Sequence, residues 1–304
     1  MKFSTLLFFC VLIFFNSFSQ RINSVDYKSL QKKEDSLKIL SIKILEAINP
    51  IDKVKADSAF IGLLVRALKI KNSFNYSFDS VFISKLYAPD SSFKIFTWHI
   101  IVDENTIRQR GAIQMKTKDG SLKLFPLIDR SDNTKKMVDT IADNFGWMGA
   151  IYYKILLTKY LNRKYYTLLG YDENNIRSTK KVIEVLDFVD EKPIFGGYYF
   201  NVKDSSAYPQ KMARFILEYK KDAAPKLNFD EGLNMIVLEH LVSETNEPEK
   251  KWTLIPDGDY EGFKWEKGKW VYIKKIFTLV TPDGQPPMPE PLRDSKGNSI
   301  KDLN

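Results

Sequence analysis

Residues 91–127 read SSFKIFTWHIIVDENTIRQRGAIQMKTKDGSLKLFPL, and the fold class turns on this stretch. Phe93, Ile95 and Thr97 alternate with Lys94, Phe96 and Trp98. That is the two-residue period of a β-strand, with the aromatic enrichment that pleated surfaces favour. Ile113 to Phe125 predicts a hairpin around Asp119-Gly120, a dipeptide suited to a two-residue turn. In that register Met115 faces Leu124 and Thr117 faces Leu122.

Toward the N-terminus the period changes. Over residues 24–48, Tyr27, Leu30, Leu37, Ile44 and Ile48 fall on one helical face, with Lys and Glu between them. Asn49-Pro50 interrupts, Asn as a cap and Pro in the first turn of a second helix running to about Lys71. Phe60, Leu64, Ala67 and Leu68 share its face, so the two helices predict an αα-hairpin. A short third helix is expected from Asp79, with Val81, Phe82 and Leu86 inward and Pro89 as its stop.

Toward the C-terminus, 151–158 and 164–170 pair across Asn162-Arg163. Residues 178–188 break the β texture, because Val182, Ile183, Val185 and Leu186 fit a short helix capped by Ser178. Strands follow at 214–220, 226–229 and 235–241, and a last hairpin spans Tyr260 to Phe277 around Lys267-Gly268. Short connections imply antiparallel pairing. The expected fold is α+β: an N-terminal helical hairpin packed on a mostly antiparallel β unit, with a short inserted helix.

The chain has 304 residues, a formal net charge of +8, two histidines and one cysteine. Leu6 to Phe15 is an unbroken apolar run behind Lys2, and small residues precede a cut after Ser19. This is the layout of a secretory signal peptide. It predicts export to the periplasm or beyond, and a mature chain without Cys10. The run is shorter than the about 20 residues needed to span a bilayer, and no later stretch reaches that length. Lipid attachment at Cys10 conflicts with the bulky Phe8 and Phe9 before it. The chain therefore divides into 1–19 signal, 20–90 helical segment, 91–280 β unit and 281–304 tail, whose five prolines preclude a central strand. Lysines are scattered rather than clustered with arginines, and an exported protein does not meet nucleic acid, so none is expected as a partner.

The strings ADSAFIGLLVRALK (56–69), YAPDSSFKIFTW (87–98), GAIQMKTKDGSLKLFPL (111–127) and YYTLLGYDENNIRSTKKVIEVLDF (165–188) are similar to a group of exported Bacteroidota proteins described only as hypothetical. The resemblance covers most of the mature chain. It implies an exported, single-unit architecture and supplies no catalytic residue.

No phosphate-binding glycine loop, dinucleotide fingerprint, zincin motif or nucleophile elbow is present, so no cofactor is expected. A Ser-His-Asp triad would need His99 or His240, and both read as strand residues with structural roles. Asp257, Asp259 and Glu261 match the start of a calcium loop, but Gly268 stands at position 12, where a bidentate Glu is required. Asp172-Glu173-Asn174-Asn175 is a second oxygen-rich turn. Asp172, Glu173, Glu218, Asp230 and Glu239 are candidate glycosidase carboxylates, with nothing in the spacing to bring two together. Gly196-Gly197-Tyr198-Tyr199 could contribute to a sugar-stacking surface. In the last hairpin, Trp265 faces Trp270 and Phe263 faces Tyr272. These four rings form either core packing, which is the expectation, or an exposed ligand-binding platform. The leading expectation is a non-enzymatic binding or scaffolding module for envelope components or glycans. The alternative is a glycan hydrolase with paired carboxylates.

Overall fold

The computed structural model describes residues 21–277 except 104, 204, 206 and 207. The signal segment, Cys10 and the 281–304 tail lie outside the described residues. Two helices open the chain, α1 (Ser24–Glu46) and α2 (Pro50–Leu68). The Asn23 side chain accepts from the Asp26 N–H at 2.8 Å, and Asn49 accepts from the Ile51 N–H at 2.9 Å. Each cap satisfies one of the amides that a helix start leaves without a partner. No described helix is long and apolar enough to cross a membrane.

The expected third helix does not form. The Ser80 N–H donates to Glu34 at 2.8 Å and the Phe82 N–H to Ser41 Oγ at 3.1 Å. Side chains of α1 thus take amides that a helix would need, and the segment leads into β1 (Ser84–Tyr87). With β2 (Phe93–Asp103), β3 (Thr106–Met115) and β4 (Lys123–Ile128), β1 builds a first antiparallel sheet in sequence order. Met115 pairs with Lys123 and Gln114 with Leu124, one residue off the expected register. Gly120 lies inside a longer loop, where its carbonyl accepts from the Asn72 N–H at 2.9 Å and its φ is +75°. A Cβ there would come within 1.9 Å of Asn72 Oδ1, so docking on Asn72 shapes the loop.

The central sheet holds β5 (Ala142–Asp143), β6 (Ile151–Tyr160), β7 (Arg163–Asp172), β8 (Ser178–Val189) and β9 (Lys192–Phe195). Beyond the short β10 (Phe200–Asn201), β11 (Arg214–Lys220) joins this sheet along β8. The β6–β7 turn is Leu161-Asn162, both at positive φ, one residue earlier than expected. A third sheet runs β10-β15-β14-β13-β12, with β12 (Leu227–Asp230), β13 (Met235–Ser243), β14 (Leu254–Glu266) and β15 (Lys269–Ile273). Among the named strands only β10 and β15 pair in parallel.

Residues 178–188 are strand, not helix. The stretch is apolar in both parities because the central sheet is covered on both sides. Ile183 and Val185 pack toward the third sheet, and Leu186 toward the first. A strand buried on both faces loses alternation and mimics a buried helix. The first sheet is buried twice as well. Phe96, Trp98 and Ile100 meet the helices, while Phe93 and Ile95 meet the central sheet. The result is α+β in four layers: helices, first sheet, central sheet, third sheet.

Candidate functional site

The pairing of β13 with β14 shifts between Glu239 and Leu241, leaving His240 on the irregularity. Bulges of this kind re-aim a side chain out of the alternating pattern. His240 Nδ1 lies 2.8 Å from Asp257 Oδ2. Burial alone would raise the Asp257 pKa, but the His240 hydrogen bond and the Asp259 N–H hold it below the usual range. His240 borders a cleft of about 480 Å³ with apolar walls including Ile216, Leu241 and Leu254. Glu218 and Lys251 face the same cleft.

Beside the pair lies Glu261 on β14, which is buried. Its carboxylate accepts from the hydroxyls of Tyr208 and Tyr272, the latter at 2.5 Å. Burial raises its pKa, partly offset by the two tyrosines and by His240. The Tyr208 and Tyr272 hydroxyls are pushed up in turn by burial and by Glu261. Tyr208 also lines the cleft. A carboxylate-oriented imidazole beside a carboxyl of raised proton affinity is a constellation able to accept and return protons.

The calcium set is pulled apart. Asp257 serves His240, Asp259 reaches Lys275 at 3.4 Å, and Glu261 turns to the tyrosines. Among the described residues no three His, Cys, Asp or Glu side chains gather as metal ligands. Of the glycosidase candidates, Asp172 accepts from Gln109 Nε2 at 2.7 Å and from the Asn174 N–H at 3.0 Å. Burial raises its pKa. Asn174 Nδ2 also donates to Glu218 at 3.2 Å, so the turn brings Asp172 and Glu218 to one residue. Glu173 pairs with Lys221, Asp230 accepts from the Leu233 N–H, and Glu239 accepts from the Lys226 N–H.

The four-ring ladder has the expected register, with Trp265 on Trp270 at 5.3 Å between centroids and Phe263 on Tyr272 at 5.7 Å. Phe263, Trp270 and Tyr272 are buried, and Trp265 packs on Tyr165 at 5.6 Å. The ladder is therefore core packing against the central sheet, and an exposed platform does not exist at these residues. In the Gly196–Tyr199 stretch, Tyr199 packs on Tyr165, while Tyr198 is half exposed beneath Lys211. His99 lies far along the first sheet, beside a separate cavity of about 410 Å³, where burial lowers its pKa.

Tyr208 and Lys251 escaped the sequence reading, because each stands outside the strands and no motif marks it. His240 carried a readable signal: in LEHL (238–241) the apolar residues are three apart, one more than strand alternation allows. No family model, curated protein or solved structure matches the chain.

Proposed function

We propose that the chain is an exported envelope protein that binds an envelope component, most directly a cell-wall glycan, in the cleft beside His240. The N-terminal signal layout and the resemblance to exported Bacteroidota proteins support the location. The cleft carries the binding reading: apolar walls of Ile216, Leu241 and Leu254 meet Glu218, Lys251 and an imidazole already oriented by Asp257. Concave, mostly apolar sites with a few placed polar groups are the usual form of ligand pockets. Cosedimentation with isolated cell-wall polysaccharide tests it. Wild-type protein should pellet, and His240→Ala combined with Lys251→Glu should stay in the supernatant. Equal pelleting of the two proteins, or no pelleting of either, rejects the reading.

One observation favours hydrolysis of glycans as a second reading. Glu261, with its raised proton affinity, stands beside the His240–Asp257 pair, and Glu218 opens on the same cleft. Release of reducing ends by the wild type and not by Glu261→Gln would decide for the enzyme.

A further inference from the structure

The turn of the helical hairpin and the segment beside it carry large apolar side chains that are more than half exposed. Ile48 is 98% exposed, Ile51 62%, Leu45 53% and Phe82 54%. The turn does not need them. Asn49 supplies the cap and Pro50 the first helical φ of α2, and the first buried residue of α2 is Ala56. Leu45 precedes Ile48 by one helical turn, and Ile51 follows it across the cap. Leu45 and Phe82 also line the mouth of the cavity near His99, so apolar surface continues from the hairpin turn into the molecule.

Exposed lysines stand near these residues in the chain. Lys38, Lys43 and Lys55 are exposed, and among the described residues none of them is in an ion pair. The nearby carboxylates are Glu46 and Asp52, and Asp52 sits in the first turn of α2, where the helix N-terminus offsets its charge. The whole chain adds a formal net charge of +8, of which only Lys2 lies in the expected signal segment. Exposed apolar side chains with exposed lysines within a few residues along the chain match a bilayer interface in which hydrocarbon lies beneath anionic headgroups. A second copy of the chain is a poorer occupant, because a symmetric contact would set these lysines against each other.

We propose that the hairpin turn, through Leu45, Ile48, Ile51 and Phe82 and the exposed Lys43 and Lys55 that flank it in the chain, seats in the surface of an anionic phospholipid bilayer. This contact is independent of the His240 cleft. It would hold the protein against a membrane while leaving the third sheet, at the opposite end of the layer order, free.

The test is flotation of the protein as recovered after export, its N-terminus checked by intact mass. The vesicles are phosphatidylglycerol mixed with phosphatidylcholine, compared with phosphatidylcholine alone. Wild-type protein should float with the anionic vesicles. Ile48→Ser with Ile51→Ser should lower partition by about tenfold or more, from the lost burial of two large side chains. Lys43→Glu with Lys55→Glu should lower it by a similar factor and remove the preference for anionic lipid. All four positions are exposed, so unchanged circular dichroism should accompany both losses. Absence of wild-type flotation overturns the proposal, as does wild-type partition by the Ile48/Ile51 variant. Concentration-dependent dimers that the same substitutions dissolve would assign the patch to a second copy, which also overturns it.

Discussion

Lys94 shows how far a single residue can depart from its usual setting. It is fully buried, and its Nζ donates to the carbonyls of Phe74 and Tyr76 at 3.2 and 2.8 Å. The rings of Phe74, Phe78, Tyr87 and Phe96 surround the same atom, with centroids 4.9 to 5.7 Å away. Burial, with Lys85 adding repulsion, lowers its pKa to about 7 from 10.5. Below pH 7 both folded and unfolded chains carry this proton, so the group adds no slope. Between the two values the unfolded chain holds a proton that the folded chain has released, and stability must rise with pH. Urea midpoints measured from about pH 7 to about pH 9 should climb, and Lys94→Met should flatten the climb. A second residue-scale prediction concerns the ring ladder. Trp270 is 1% exposed and donates from Nε1 to Thr167 Oγ1 at 2.9 Å. Trp270→Ala should cost about 3–5 kcal/mol of unfolding free energy, whereas Trp265→Ala, at the half-buried end, should cost less. A cost under about 1 kcal/mol for both would contradict the core assignment.

At the scale of elements, β8 is the strand on which the others depend, flanked by β7 on one side and by β9 and β11 on the other. Its Glu184 is buried on the first-sheet side and pairs with the equally buried Arg214 of β11 at 3.0 Å. Tyr152 donates to the same carboxylate and accepts from Trp147 Nε1 at 2.7 Å. Arg214 Nη1 reaches the carbonyls of Met137 and Thr140, tying the segment before β5 to the sheet. Losing one partner leaves an uncompensated buried charge. Glu184→Leu alone should therefore destabilise by about 3–5 kcal/mol, and Glu184→Leu with Arg214→Met by less than either single change. Denaturant unfolding of the three variants checks the cycle. The β14–β15 turn offers a gain instead. Lys267 sits at φ +48° before Gly268, where Asn is the favoured residue, so Lys267→Asn should raise the thermal midpoint.

For the whole molecule, the three core clusters are built from residues between Leu30 and Tyr272. The five prolines of residues 281–304 preclude a central strand and the segment holds few large apolar side chains, so removing 281–304 should shift the thermal midpoint by no more than a few degrees. Loss of a cooperative melt would show that the tail belongs to the fold. Export makes a separate prediction. Intact mass of the exported protein should correspond to a chain beginning at Gln20. A mass retaining residues 1–19, or lipid on Cys10, would contradict it.

The sequence by itself determined the elements whose information is local. The paired helices follow from apolar spacing and from Asn49-Pro50, and the Lys267-Gly268 hairpin follows from a turn dipeptide between alternating strands. Both stand where expected. Elements that owe their state to distant partners were not legible. Residues 178–188 are strand because sheets cover them on two sides, and 79–83 is irregular because Glu34 and Ser41 capture its amides. The Asp119-Gly120 loop has its register because Asn72 holds it. The cleft is wholly tertiary. His240 comes to one cleft with Glu218 and Tyr208 only when a bulge in one sheet faces β11 from another. Hydrophobic period and turn chemistry act between near neighbours in the chain, whereas layer coverage and side-chain capture act between residues that only folding brings together.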